Sequence, residues 1–126
     1  MMNGKSAPAR KRVLVVEDDE VIRMVVAAEL EALGHEVVQA ANGVEALAAV
    51  ERSRPNLILL DMRMPILDGW GFATELRRRH GRVSPIVVMT AAADVRERAL
   101  EIGANAWIGK PFDLNALTTL VTRELS

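Results

Sequence analysis

The chain has 126 residues, 50% of them hydrophobic, enough to bury the core of one domain and short for two. With 16 basic and 17 acidic residues its net charge is −1, so it has no overall attraction for nucleic acid or an anionic membrane. The absence of Cys excludes disulfides, thiolate metal sites and a Cys nucleophile together.

The first ten residues mix Gly4, Ser6 and Pro8 with Lys5 and Arg10 and show no periodicity. Residues 1–10 therefore read as a disordered leader and 11–126 as the folded domain. A signal peptide would need an apolar stretch after those charges, and Val13–Val16 is too short before Glu17. No uncharged apolar run approaches the ~20 residues of a membrane span, and a soluble, cytoplasmic protein is expected.

From there short apolar runs alternate with helical spacing. Val13–Val16 is the first candidate strand; Asp19–Leu33 follows, with Ile22, Val25, Val26, Leu30 and Leu33 on one stripe and Gly34 as a left-handed stop. Val37–Ala40 is the second strand, and Gly43–Arg52 a helix carrying Val44, Leu47 and Val50. Leu57–Leu60 precedes a helix over Trp70–His80 that places Phe72, Ala73 and Leu76 inward and three arginines at its carboxyl end. Ile86–Met89 leads to Asp94–Ile102, where Asp94 and Glu97 have capping-box spacing. Ala106–Ile108 is the last strand, and Asp113 caps a helix that turns Leu117, Leu120 and Val121 inward.

Strict strand–helix alternation implies a parallel α/β sheet, because parallel strands need crossover connections. Three of the strands are continuous β-branched runs, as suits strands covered on both faces. The expected order is 2-1-3-4-5, with ligands beyond the strand carboxyl ends.

Chemistry-bearing residues collect at those ends: Glu17, Asp18 and Asp19 after the first strand, Asp61 after the third, Thr90 closing the fourth, and Gly109-Lys110-Pro111 after the fifth. Singly, each has an ordinary role. Acidic residues at a helix start complement its dipole, and Asp19 reads as a plain cap. Asp61 alone would be a turn former, Thr90 a strand-end residue and Lys110 a solvated loop charge. Taken together on adjacent strands, they form one acid pocket that needs a neutralising cation. An all-oxygen donor set fits Mg²⁺ better than a tetrahedral transition metal, and His35 and His80 fall far from it. Carboxylate, metal, lysine and hydroxyl suit a phosphoryl group carried on the central Asp61.

In this setting the chain resembles the receiver domains of two-component response regulators, of the chemotaxis-regulator-like kind. The matching blocks are VLVVEDD (13–19), LILLDMRMPILDG (57–69), PIVVMTA (85–91) and WIGKPF (107–112). The resemblance implies a flavodoxin-like, doubly wound, five-stranded parallel sheet flanked by five helices. It implies Asp61 as phosphoacceptor and Asp18 as a direct Mg²⁺ ligand, with Glu17 acting through water and the Arg63 backbone carbonyl as a further ligand. Thr90 and Lys110 would each hold a phosphoryl oxygen, and Lys110–Pro111 would be cis. The implied phosphodonor is a sensor histidine kinase or a histidine phosphotransfer protein. Phosphorylation would switch a face at about 94–125 toward a downstream protein partner, the chain being a monomer or a phosphorylation-dependent dimer. The domain would catalyse only its own phosphorylation and dephosphorylation. Trp107 stands where the family has a smaller aromatic that turns inward on activation; read from the residues alone, it is a partly buried strand aromatic. Ala91 and Ala92 are small neighbours of Thr90.

Three other classes compete. A receiver-like module that binds partners without phosphorylation would lack some of these groups, and all are present. A phosphatase with a nucleophilic Asp would need a second Asp where Asp61-Met62-Arg63 has Arg. A P-loop would need Ser or Thr where Pro111 stands and a shorter gap from Gly103 to Gly109. Direct DNA contact is not expected, since 126 residues leave no room for a second domain in this chain.

Overall fold

The computed structural model describes residues 10–126. The leader expected at 1–10 lies outside them apart from Arg10, which is exposed. Five strands and five helices alternate without interruption: β1 (Arg12–Val16), α1 (Glu20–Ala32), β2 (Glu36–Ala40), α2 (Gly43–Arg52), β3 (Leu57–Asp61), α3 (Gly69–His80), β4 (Ile86–Ala91), α4 (Val95–Glu101), β5 (Ala106–Lys110) and α5 (Leu114–Glu124). All strand pairings are parallel and the order is β2-β1-β3-β4-β5, as the alternation required.

The pleat sorts the central strands between two cores. Val13, Val15, Leu57, Leu59, Val87 and Met89 point to one face, where α1 and α5 cover them with Val26, Leu30, Leu117 and Val121. Leu14, Val16, Ile58, Leu60, Ile86 and Val88 point to the other, under α2, α3 and α4 with Leu47, Val50, Phe72, Leu76, Val95 and Ala99. Covering on both faces is why these strands read as continuous apolar runs.

Sequence spacing drew the helical stripes too wide. Val25, Leu33 and Val44 are exposed, because each sheet-facing stripe is completed by alanines instead: Ala27 on α1, Ala46 and Ala49 on α2. Gly34 has φ +95°, the left-handed stop expected of it. Asp19 and Asp113 cap their helices through side-chain oxygens. The capping box expected of Asp94 does not form. Its backbone is at φ −114°, ψ −7°, already wound into the turn in which its N–H donates to Ala91 O, and its side chain makes no cap bond.

Candidate functional site

The strands carry further toward the site than their apolar runs do. β3 includes Asp61, β4 runs through Thr90 to Ala91, and β5 through Gly109 to Lys110, since ladder hydrogen bonds are indifferent to side-chain polarity. Asp61 pairs with Met89, and Thr90 with Gly109, so the third, fourth and fifth strand ends stand side by side. Glu17 follows β1 and is still anchored there, its N–H donating to Ala40 O at 3.0 Å.

Two glycines permit this closeness. A Cβ on Gly69 would meet Met62 Cα at 2.7 Å and the Asp61 carbonyl at 2.9 Å, so α3 can begin against the end of β3 only without a side chain. A Cβ on Gly109 would meet Ala92 Cα at 2.6 Å, where the turn after β4 crosses β5. The Lys110–Pro111 bond is cis.

Carboxylate oxygens of Glu17, Asp18 and Asp61 lie within 4.8 Å of one another. Glu17 and Asp61 are buried, at 1% and 5% exposure, and Asp18 is exposed. Lys110 Nζ reaches Glu17 Oε1 at 2.6 Å and Asp61 Oδ2 at 3.4 Å. The second Glu17 oxygen accepts the Asp19 N–H at 3.0 Å, while buried Oε1 has no aligned hydrogen-bond donor beside the lysine ion pair.

Burial pushes the Glu17 carboxyl up to about 7, with the Lys110 ammonium pulling against it and the Asp61 charge adding to it. Burial also raises Asp61, opposed by Lys110 and reinforced by Asp18. For Lys110, burial acts to lower the value, but Glu17 and Asp61 outweigh it and raise it. One ammonium thus faces three carboxylates, a surplus of negative charge that a divalent cation would relieve. The donors are all oxygens, one is buried without an aligned donor, and their spacing is one that a small ion with ligands at about 2.1 Å could draw together. The residues present fit Mg²⁺. His35 lies at the opposite end of the sheet, its ring nitrogen 3.3 Å from Lys11 N, and His80 pairs with Glu51; neither approaches the carboxylates.

Asp61, Thr90, Ala91, Lys110 and Arg63 border a cleft of about 610 Å³ whose remaining wall is apolar: Val21, Ile22, Val25 and Val26 of α1, with Phe112 and Leu114. Sequence spacing missed this wall, having assigned Val25 to the core. Trp107 does not border the cleft. It stands on β5 opposite Val88, 38% exposed, more open than the partly buried aromatic expected.

The sheet order and the pocket at its carboxyl edge define a class, and comparison with known proteins agrees. A family model for the response regulator receiver domain matches residues 13–122. The chain belongs to that family, the receivers of two-component response regulators. It is 42% identical over 105 residues to a protein named probable transcriptional regulator ycf27 from Porphyridium aerugineum, a match covering 82% of this chain and 43% of that protein. It therefore spans less than half the length of that relative. Among solved structures, the receiver domain of sensor histidine kinase PA1611 from Pseudomonas aeruginosa is 38% identical with a TM-score of 0.83, covering 93% of this chain and 98% of that one. That structure has a magnesium ion coordinated in its active-site cleft. Chemotaxis protein CheY4 of Vibrio cholerae matches at 32% identity and a TM-score of 0.82, over 92% of this chain and 99% of its own. Among the described residues, no helix is long and apolar enough to cross a membrane.

Proposed function

We propose that Asp61 is the phosphoacceptor of a phosphorelay and that the reaction depends on Mg²⁺. The observation that carries this reading is the convergence of Glu17, Asp18 and Asp61 oxygens within 4.8 Å, with the Lys110 ammonium 3.4 Å from Asp61. The donor is a phosphohistidine of a sensor histidine kinase or a histidine phosphotransfer protein, in the cytoplasm, where the ATP that charges such kinases is made. An Asp61 oxygen attacks phosphorus, the P–N bond breaks as the P–O bond forms, and the departing imidazole nitrogen takes up a proton.

Asp18, Asp61 and the Arg63 carbonyl would hold the Mg²⁺ directly and Glu17 would hold it through water; when bound, the ion supplies charge neutralisation at the transferring group. Lys110 is positioned to pair with a phosphoryl oxygen, and the Thr90 hydroxyl, buried on the same cleft, to hydrogen-bond another. Drawing Thr90 in biases the turn after β4 and with it the face from 94 to 125, where a downstream protein docks. The receiver unit is taken as 11–126. It modifies only itself and does not turn over a separate substrate.

Labelling with a small acyl phosphate and Mg²⁺ tests this. The parent should acquire one acid-stable, alkali-labile phosphoryl group, and Asp61→Asn none. Undiminished label in Asp61→Asn overturns the assignment, and a parent that takes no label favours a module that binds partners without phosphorylation.

A further inference from the structure

Outside the carboxylate pocket, polar side chains also gather on Trp70. The Arg63 guanidinium lies 5.5 Å from the centre of its ring and that of Arg98 5.7 Å. The indole N–H donates to Glu101 Oε1 at 2.7 Å, and Arg98 Nη2 donates to Oε2 of the same carboxylate at 2.8 Å. Two cations drawn to one ring repel each other, and Glu101 supplies the charge that offsets them. Its own carboxyl is held below the usual range, first by the Trp70 N–H and then by Arg98 and Arg63.

The cluster joins three elements. Trp70 lies in the first turn of α3, Arg98 and Glu101 lie on α4, and Arg63 lies in the loop after β3. Arg63 also borders the cleft that contains Asp61, Thr90 and Lys110. Its guanidinium lies on the indole, while the residue itself stands on the wall of the cleft, so a swing of the side chain off the ring would bring it toward an anion carried at Asp61. Such an anion suits it well, since arginine is always charged and its planar fork matches phosphoryl oxygens.

We propose that Trp70 is a positioning residue that holds the Arg63 guanidinium off Asp61, and that Glu101 and Arg98 make this hold depend on where α4 stands. The proposal rests on the phosphoacceptor reading of Asp61. Movement of α4 that draws Glu101 from the indole N–H loosens the ring and releases Arg63 toward the phosphoryl group. By linkage, a phosphoryl group that captures Arg63 weakens the tie on α4 to the same degree. The arrangement connects the phosphorylation loop to α4 by a route separate from Thr90.

The test is Mg²⁺-dependent binding of beryllofluoride, a non-covalent stand-in for the phosphoryl group, measured on the full chain by calorimetry. Trp70→Leu should bind it about two- to fivefold more tightly, the affinity ratio that one exposed cation–π contact represents. In an Arg63→Ala background the same substitution should change nothing, and Trp70→Phe, which keeps a ring but loses the N–H that ties it to Glu101, should fall between the parent and Trp70→Leu. Should Trp70→Leu fail to fold, Glu101→Gln on the exposed side of α4 carries the same test: tighter binding with Arg63 present and none without it. Equal tightening with and without Arg63, or no tightening at all, overturns the proposal. A parent that binds no beryllofluoride in Mg²⁺ overturns the reading of Asp61 itself, and does so before any Trp70 variant is made.

Discussion

The Lys110 ammonium stands 2.6 Å from Oε1 of Glu17, nearer than the 3.4 Å that separates it from Asp61. The cation proposed to serve the phosphoryl group is therefore engaged first by a neighbouring carboxylate. A divalent ion held with the help of Glu17 would neutralise that carboxylate and leave Lys110 for Asp61. The consequences fall on pH dependence, on metal response and on packing around the loop after β3.

Glu17 gives the pH dependence. Burial raises its carboxyl from 4.5 to about 7. A carboxyl raised on folding binds more protons in the native state, so its contribution to stability is greatest below 4.5 and is lost as pH rises to about 7. Asp61, also raised, adds to this slope, whereas His35, lowered by burial, opposes it. The isolating measurement is the difference between parent and Glu17→Gln in chelator, followed by urea unfolding. Relative to the variant, the parent should lose on the order of 1–3 kcal/mol across that window. A parent that gains relative stability there would contradict the buried-carboxylate account.

Metal addition should reverse that loss. Binding to the native state alone stabilises by mass action, about 2.7 kcal/mol at a hundred times the dissociation constant. For a domain of this size that is a rise of several degrees in melting temperature. Asp18→Ala removes an exposed ligand with little effect on the fold and should abolish most of the rise. Equal responses in parent and variant would exclude Asp18 from the metal site.

Gly69→Ala tests whether the loop is held where the site needs it. The added Cβ meets backbone at 2.7 and 2.9 Å, atoms that cannot swing aside as a side-chain tip can. The expected cost is about 1–3 kcal/mol in urea unfolding, with Mg²⁺ affinity reduced because the Asp61–Arg63 segment must shift. Unchanged stability and metal affinity would show that α3 can retreat without disturbing the loop.

Most of the sheet could be read from the sequence because continuous runs such as Leu57–Leu60 have few other places to go than between two helical layers. The pocket could be read because its residues stand at strand ends, whose convergence follows from strand order. The Arg63–Trp70–Arg98 cluster left no such trace. Its members come from three elements, and cation–π stacking depends on side-chain directions that no periodicity records. The apolar wall of the cleft was hidden for a related reason: Val25 has core chemistry, yet Val26, Ala27 and Leu30 fill the sheet-facing side of α1 and leave Val25 43% exposed.

Helix capping separates spacing from geometry most cleanly, on the two helices of the proposed output face. Asp94 and Asp113 both precede helical periodicity, and spacing alone favours Asp94, with Glu97 three residues on. Only Asp113 has the extended backbone, φ −79° and ψ 133°, that aims its carboxylate back at the free N–H groups of Asn115 and Ala116. Asp113→Ala should therefore cost about 1 kcal/mol in urea unfolding. Asp94→Ala should cost less than about 0.5 kcal/mol, the remainder being its charge near the start of α4. Equal losses would mean that Asp94 caps its helix in solution, in an extended conformation that unwinds the turn from Ala91. That change would move α4 relative to β4, and with it the tie from Glu101 to Trp70.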